Sequence, residues 1–181
     1  MSDRLLRHAP LLSALAILCA MFAFGAARYE HFASLRTITS LFAEYSFVGI
    51  AAVGATFVIL AGGIDLSVGA VIACTSIFIA TCIDAGWHPL AAFAVALCGG
   101  ATLGAIHGWL IRAFALPAFI VTLAGMYAVR ALGFVIAPQN LAIDHAFFTW
   151  SSRSAVLDLG DGATLPLRAL ALVFVLVVGI V

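Results

Sequence analysis

Gly62-Gly63-Ile64-Asp65-Leu66-Ser67-Val68-Gly69 divides two apolar runs, and its reading decides how the chain folds. Tyr45 to Ile64 is 20 residues without a charge, and Leu66 to Ile83 is 18 more. Each is near the roughly 20 residues that cross a bilayer as a helix. A single carboxylate, Asp65, stands between them. Such a group is costly at membrane depth unless it sits at a boundary, lines a polar path or satisfies backbone donors. Gly62 and Gly63 suit the end of the first helix, because glycine enters the left-handed conformation of a C-terminus without steric cost. Asp65 and Ser67 are both of the type that accepts the free N–H groups opening the next helix. The stretch predicts a tight helix–break–helix at membrane depth.

Hydrophobic residues make up 65% of the 181-residue chain and charged residues 9%, against roughly a quarter charged in soluble domains. Such a chain cannot cover a water-facing surface. Its expected fold class is all-α, a polytopic transmembrane helix bundle. Formal net charge is zero, from 8 basic and 8 acidic residues, and no basic patch points to nucleic acid. Every basic residue is arginine. Without lysine the chain has no P-loop and no Schiff-base nucleophile, so an ATP-driven step would run on another chain. Cys19, Cys74, Cys82 and Cys98 show no C-x-x-C spacing and read as small apolar side chains.

The expected spans follow from the charges and turn residues. Ala9 to Ala27 is a first span, longer than a signal-peptide core and followed by more spans. A polar loop from Arg28 to Glu44 contains a short interfacial helix over Leu35 to Phe42. Further spans run from Tyr45 to Ala61, Leu66 to Ile83, Pro89 to Ile111 and Ala118 to Ile136. Trp87 in the turn before Pro89 suits an interface anchor. Pro138 to Arg168 is too polar to cross, and Asp161-Gly162 within it signals a hairpin turn. An apolar run from Ala169 to Val181 reads as the start of a sixth helix, cut short. Five spans and a truncated sixth thus belong to one transmembrane domain over 1–181, the N-terminal part of a longer one. Arginine counts do not decide the orientation.

Two segments carry a resemblance. The Gly62 to Gly69 motif, preceded by Val53-Gly-Ala-Thr-Phe-Val-Ile-Leu60, resembles the permease subunits of ribose/galactose-type ABC sugar importers. So does Leu116-Pro-Ala-Phe-Ile-Val-Thr-Leu-Ala-Gly-Met126, which follows Gly108-Trp-Leu-Ile-Arg112. Within that family the galactofuranose permeases are the nearest likeness, through Ala118 to Met126 and Ile143-Asp-His145. Ala55 and Ala70 depart from the family, standing where methionine and serine are expected. The resemblance implies a bacterial inner-membrane location with the N-terminus in the cytoplasm. That places 62–69 near the cytoplasmic face and Pro138 to Arg168 outside. It further implies a second permease subunit, cytoplasmic ABC ATPase subunits and a periplasmic sugar-binding protein as partners. Membrane lipids surround the assembly, and no cofactor is implied.

Candidate functional residues cluster in four groups. Gly62, Gly63, Asp65, Ser67 and Gly69 form the break, with Asp65 read first as a cap and second as part of a transport path. Thr122 either back-bonds within its own helix or lines the path, and Phe57 and Phe119 offer faces for a sugar ring. Arg130 lies in an apolar setting, with Glu44 as a possible partner and snorkelling as the commoner outcome. Gly100, Gly104 and Gly108 form overlapping G-x-x-x-G units that admit another helix, within the chain as the first reading or on a second subunit as the other. His107 between them reads as a hydrogen-bonded interface residue. No catalytic or metal constellation is present: there is no G-x-S-x-G, no H-E-x-x-H and no histidine pair at ligand spacing. The sequence points to a sugar-conducting permease working by alternating access. The alternatives are an intramembrane enzyme acting on a lipid and an ion-coupled carrier.

Overall fold

The computed structural model describes residues 2–139, 143, 145–153, 155–158 and 164–180. Its elements are α1 (Ser2–Arg28), α2 (Leu35–Glu44), α3 (Ser46–Leu60), α4 (Val68–Asp84), α5 (Pro89–Phe114), α6 (Ala118–Ile136), α7 (Ala146–Arg153), β1 (Ala155–Asp158), β2 (Thr164–Pro166) and α8 (Leu167–Ile180). Three helices, α1 from Ala9, α5 and α6, are long and apolar enough to cross a membrane. A fourth such unit is the pair α2 and α3, bent by 54° at Tyr45. The apolar α4 has 17 residues and α8 has 14. The chain is a polytopic helical membrane protein.

The one departure from an all-helical chain is small. β1 and β2 pair antiparallel, with Leu157 opposite Leu165 and Asp158 opposite Thr164. The Asp161-Gly162 turn lies outside the described residues, as does Asp144 of the Ile143-Asp-His145 likeness.

Two helices end in the same way. Beyond α3, the Gly63 N–H donates to the Val58 carbonyl and the Gly62 N–H to the Ile59 carbonyl, both at 2.9 Å. Beyond α4, Trp87 donates to Cys82 and Gly86 to Ile83, again at 2.9 Å. These paired bonds satisfy the last carbonyls of each helix and require a left-handed residue at the turn. Gly62 supplies it at φ +78° and Gly86 at φ +83°. α5 opens on Pro89, which has no N–H to lose at a first helical position, and the His88 side chain accepts from the Leu90 N–H. It closes on Ala115 at φ +50°.

Two packing units result. α4 and α6 form the most extensive helix pair, with α5 against both. α3 packs on α8, where Gly49 admits the Leu172 side chain and Gly179 admits Val53. α2 lies on the ribbon and on the ends of α3 and α8. Its cap is Ser34, whose Oγ accepts the Thr37 N–H at 3.2 Å.

Gly62→Ala should lower stability by about 1–2 kcal/mol, the cost of a Cβ in the left-handed region. Gly69 lies within α4 with no atom within 4 Å of an added Cβ, so Gly69→Ala should be neutral or stabilising by about 0.5–1 kcal/mol. Thermal melts of the two purified variants in detergent test this contrast, and equal melting temperatures would contradict it.

Candidate functional site

The break between α3 and α4 is held by side chains rather than by helix. Asp65 Oδ1 accepts the Ser67 N–H at 2.7 Å and the Ser67 hydroxyl at 2.6 Å. These short, charge-assisted bonds close a two-residue turn of the Asx type. Ser67 is buried, and its carbonyl takes the Val71 N–H at 2.9 Å as the first bond of α4. Ile64 and Leu66 remain, one with a free carbonyl and the other with a free N–H. Both meet Thr122 from α6, more than fifty residues away. The Leu66 N–H donates to Thr122 Oγ1 at 3.2 Å. The Thr122 hydroxyl lies 3.1 Å from the Ile64 carbonyl and 3.0 Å from that of Ala118 in its own helix. Its single proton serves both acceptors, while its lone pairs take Leu66. Thr122 is 4% exposed, so this exchange is shielded from solvent.

The break thereby ties the start of α4 to the start of α6. The two helices run the same way from it, and Gly133 approaches Cys74 and Ile77 further along. α5 returns between them in the opposite direction. Beside this pair lies a cavity of about 770 Å³, bordered by Leu66 and Gly69 near the break and by Pro138 and Gln139 at the far end. Its α4 wall is mostly small side chains, Gly69, Ala70, Ala73, Ser76 and Ala80, with Cys74 and the larger Ile77 among them. Its α6 wall carries Met126, Arg130, Gly133 and Phe134. Both sets recur at the three- and four-residue spacing of one helix face. A second, almost wholly apolar cleft of about 420 Å³ lies where α4, α5 and α6 meet. Cys74 and Val129 border both spaces.

The expected residues separate on this framework. Gly62, Gly63, Asp65, Ser67 and Thr122 come together at the break, none of them on the cavity wall. Gly69 and Arg130 do line the cavity. Phe57 and Phe119 are exposed and lie outside it. No ion pair joins Glu44 to Arg130: Glu44 borders a cleft with Ser46, Phe47 and Ala171, while Arg130 faces the α4/α6 cavity. The reason is the partition of the helices, since the start of α3 packs near α8 and α6 packs on α4.

Among the described residues, none packs closely on the glycines of α5. A Cβ added at Gly100, Gly104 or Gly108 meets no atom within 4 Å. Gly100 borders the apolar cleft, and Gly104 and Gly108 are exposed. The close contact between α5 and α6 falls instead at Gly125, which leaves room for the buried ring of His107. Cys74 and Cys82 are buried, whereas Cys19 and Cys98 lie on the surface. Among the described residues no three His, Cys, Asp or Glu side chains converge as a metal site would need. The α4 wall was within reach of the sequence, as Gly69, Ala73, Ser76 and Ala80 recur on one face. Gln139 carried no signal, standing in a polar segment that periodicity does not place.

Thr122→Val should cost about 1–3 kcal/mol by leaving the Leu66 N–H without its acceptor, while Thr122→Ser should melt close to wild type. Asp65→Asn keeps an acceptor oxygen and should be milder than Asp65→Ala. Detergent thermal melts read both pairs, and equal losses within either pair would contradict the hydrogen-bond roles.

Known proteins are similar to this sequence. A family model described as "Branched-chain amino acid transport system / permease component" matches residues 37–181. The inner membrane ABC transporter permease protein YjfF of Escherichia coli is 39% identical over 96% of this chain and 53% of its own length. The fructose import permease protein FruG of Bifidobacterium longum is 36% identical over 73% of this chain and 39% of its own. The D-allose transport system permease protein AlsC of Escherichia coli is 37% identical over 74% and 40%. The chain thus spans about half, or less, of the length of these relatives. No solved structure matches it. With the family model covering 37–181, the chain belongs to the permease-component family of that transport system.

Proposed function

We propose that this chain is part of the membrane-spanning permease of a binding-protein-dependent ABC importer, moving a monosaccharide by alternating access. The α4/α6 cavity is a section of its path. That cavity carries the reading: its volume of about 770 Å³ falls in the range of about 300–1,000 Å³ typical of small-molecule sites. Small residues wall it on α4, and Ser76, Arg130 and Gln139 offer polar groups. The permeases YjfF, FruG and AlsC support the transport class, and the printed names of FruG and AlsC support a sugar.

The family description names branched-chain amino acids, and the printed names of FruG and AlsC favour a sugar over that substrate. On this reading the permease is not an enzyme. Cytoplasmic ABC ATPase subunits hydrolyse ATP, a periplasmic sugar-binding protein delivers the substrate, and a second permease subunit completes the pore. The membrane is a bacterial inner membrane with the N-terminus in the cytoplasm. The spans are α1, the bent α2–α3, α4, α5 and α6. Asp65 and Ser67 then form the turn that leads into α4 at its cytoplasmic end; the expected side-chain cap is not made, because the Ser67 hydroxyl donates to Asp65 instead.

Uptake of labelled D-fructose, D-allose, D-ribose and D-galactofuranose by cells expressing the complete transporter tests this reading. Uptake of one of these sugars should be lost on ATP depletion and blocked by Ala73→Trp, which fills the cavity. Uptake that survives ATP depletion would indicate a carrier, and uptake of leucine in place of sugar would overturn the substrate class.

A further inference from the structure

We propose that Arg130 is the substrate-selecting side chain of the α4/α6 cavity, gripping two adjacent hydroxyl oxygens of the sugar; this rests on the transport reading above. Arg130 lies on the cavity face of α6 with Met126, Gly133 and Phe134. Eight residues beyond Thr122, it stands about 12 Å along the helix from the break, at 1.5 Å per residue. It is exposed to the cavity rather than packed. Among the described residues it has neither an ion-pair nor a hydrogen-bond partner, and no acidic side chain shares its wall. A guanidinium held within a membrane helix needs water, a carboxylate or a ligand around it.

The neighbouring groups narrow the ligand. The Ser76 hydroxyl already donates to the Ile72 carbonyl at 2.9 Å, so only its lone pairs face the cavity. Gln139 contributes an amide with one acceptor and two donors. Arg130 adds five N–H donors in a planar fork, enough to reach each of two neighbouring hydroxyl oxygens on a neutral ligand. The site is rich in donors, with a few acceptors for the ligand's own hydroxyl protons. A vicinal diol presents paired oxygens to the fork and returns its protons to Ser76 and Gln139. The rest of the wall is small or apolar, which fits the C–H faces of a sugar ring.

The test compares analogues rather than absolute activity. Cells carrying the complete transporter, wild type, Arg130→Lys or Arg130→Gln, take up the labelled sugar that wild type transports and each of its monodeoxy analogues. The ratio of variant to wild-type uptake at low concentration is taken for each compound, so that delivery by the binding protein cancels. Lysine keeps the charge but loses the fork. Both variants should lose about tenfold or more with the parent sugar, as expected for hydrogen bonds to a charged group. They should lose far less with the deoxy analogues lacking either of two adjacent hydroxyls. The same factor for every compound, or no loss at all, overturns the role of Arg130. Ala73→Trp separates this from failure of the path itself: if that variant transports normally, the cavity is not the route and both proposals fall.

Discussion

The Thr122 hydroxyl, accepting from Leu66 and shared with the Ile64 carbonyl, is the contact on which the arrangement of the other helices depends. A helix cannot stop inside a membrane without finding partners for its free backbone groups, since the surrounding hydrocarbon offers none. Here three devices divide the task. The left-handed turn at Gly62 satisfies the end of α3, Asp65 takes the Ser67 N–H, and Thr122 takes what remains. Only the third reaches another part of the chain. It fixes the origin of α4 against the origin of α6, and the parallel course of the two helices follows from that common origin.

From the shared origin the rest is packing. α4 and α6 touch at Cys74 and Gly133, where the absence of a side chain on Gly133 allows close approach. On one side of that contact the small residues of α4 leave a space bordered by Ser76, Arg130 and Gln139. On the other side, toward α5, the space is apolar. A single helix crossing thus separates a polar-bordered cavity from a hydrocarbon-like cleft. Membrane transport needs such a separation, because a solute path must be shielded from lipid.

Much of the fold was legible because charges and turn residues punctuate the apolar runs. Pro117 and Ala137 bound α6 over the residues expected, and Ser46–Leu60 falls within the expected second span. The short helix expected over Leu35 to Phe42 extends to Glu44, and it joins α3 as one bent apolar unit where an interfacial helix was expected. The clamp was less legible. Thr122 was expected either to bond within its own helix or to line the path, and it bonds in its helix and across to the break at once. Nothing in local spacing reports a contact fifty-eight residues away. The glycines of α5 are silent for a related reason: G-x-x-x-G marks a face that another helix can approach, without saying which helix. Glu44 and Arg130 failed as a pair because opposite charges were matched by depth alone, without knowing which helices are neighbours.

The central claim is that the break clamps α4 to α6 and leaves one face of α4 open to a water-filled cavity. Cysteine accessibility along α4 tests it most directly, with the native cysteines replaced and single cysteines placed from Gly69 to Ala80 in the complete permease in membranes. A small membrane-impermeant thiol reagent should label positions 69, 73 and 76, which are exposed on the cavity face, and spare 71, 75 and 78, which face the apolar cleft. Uniform labelling, or labelling of the second set in place of the first, would contradict the account.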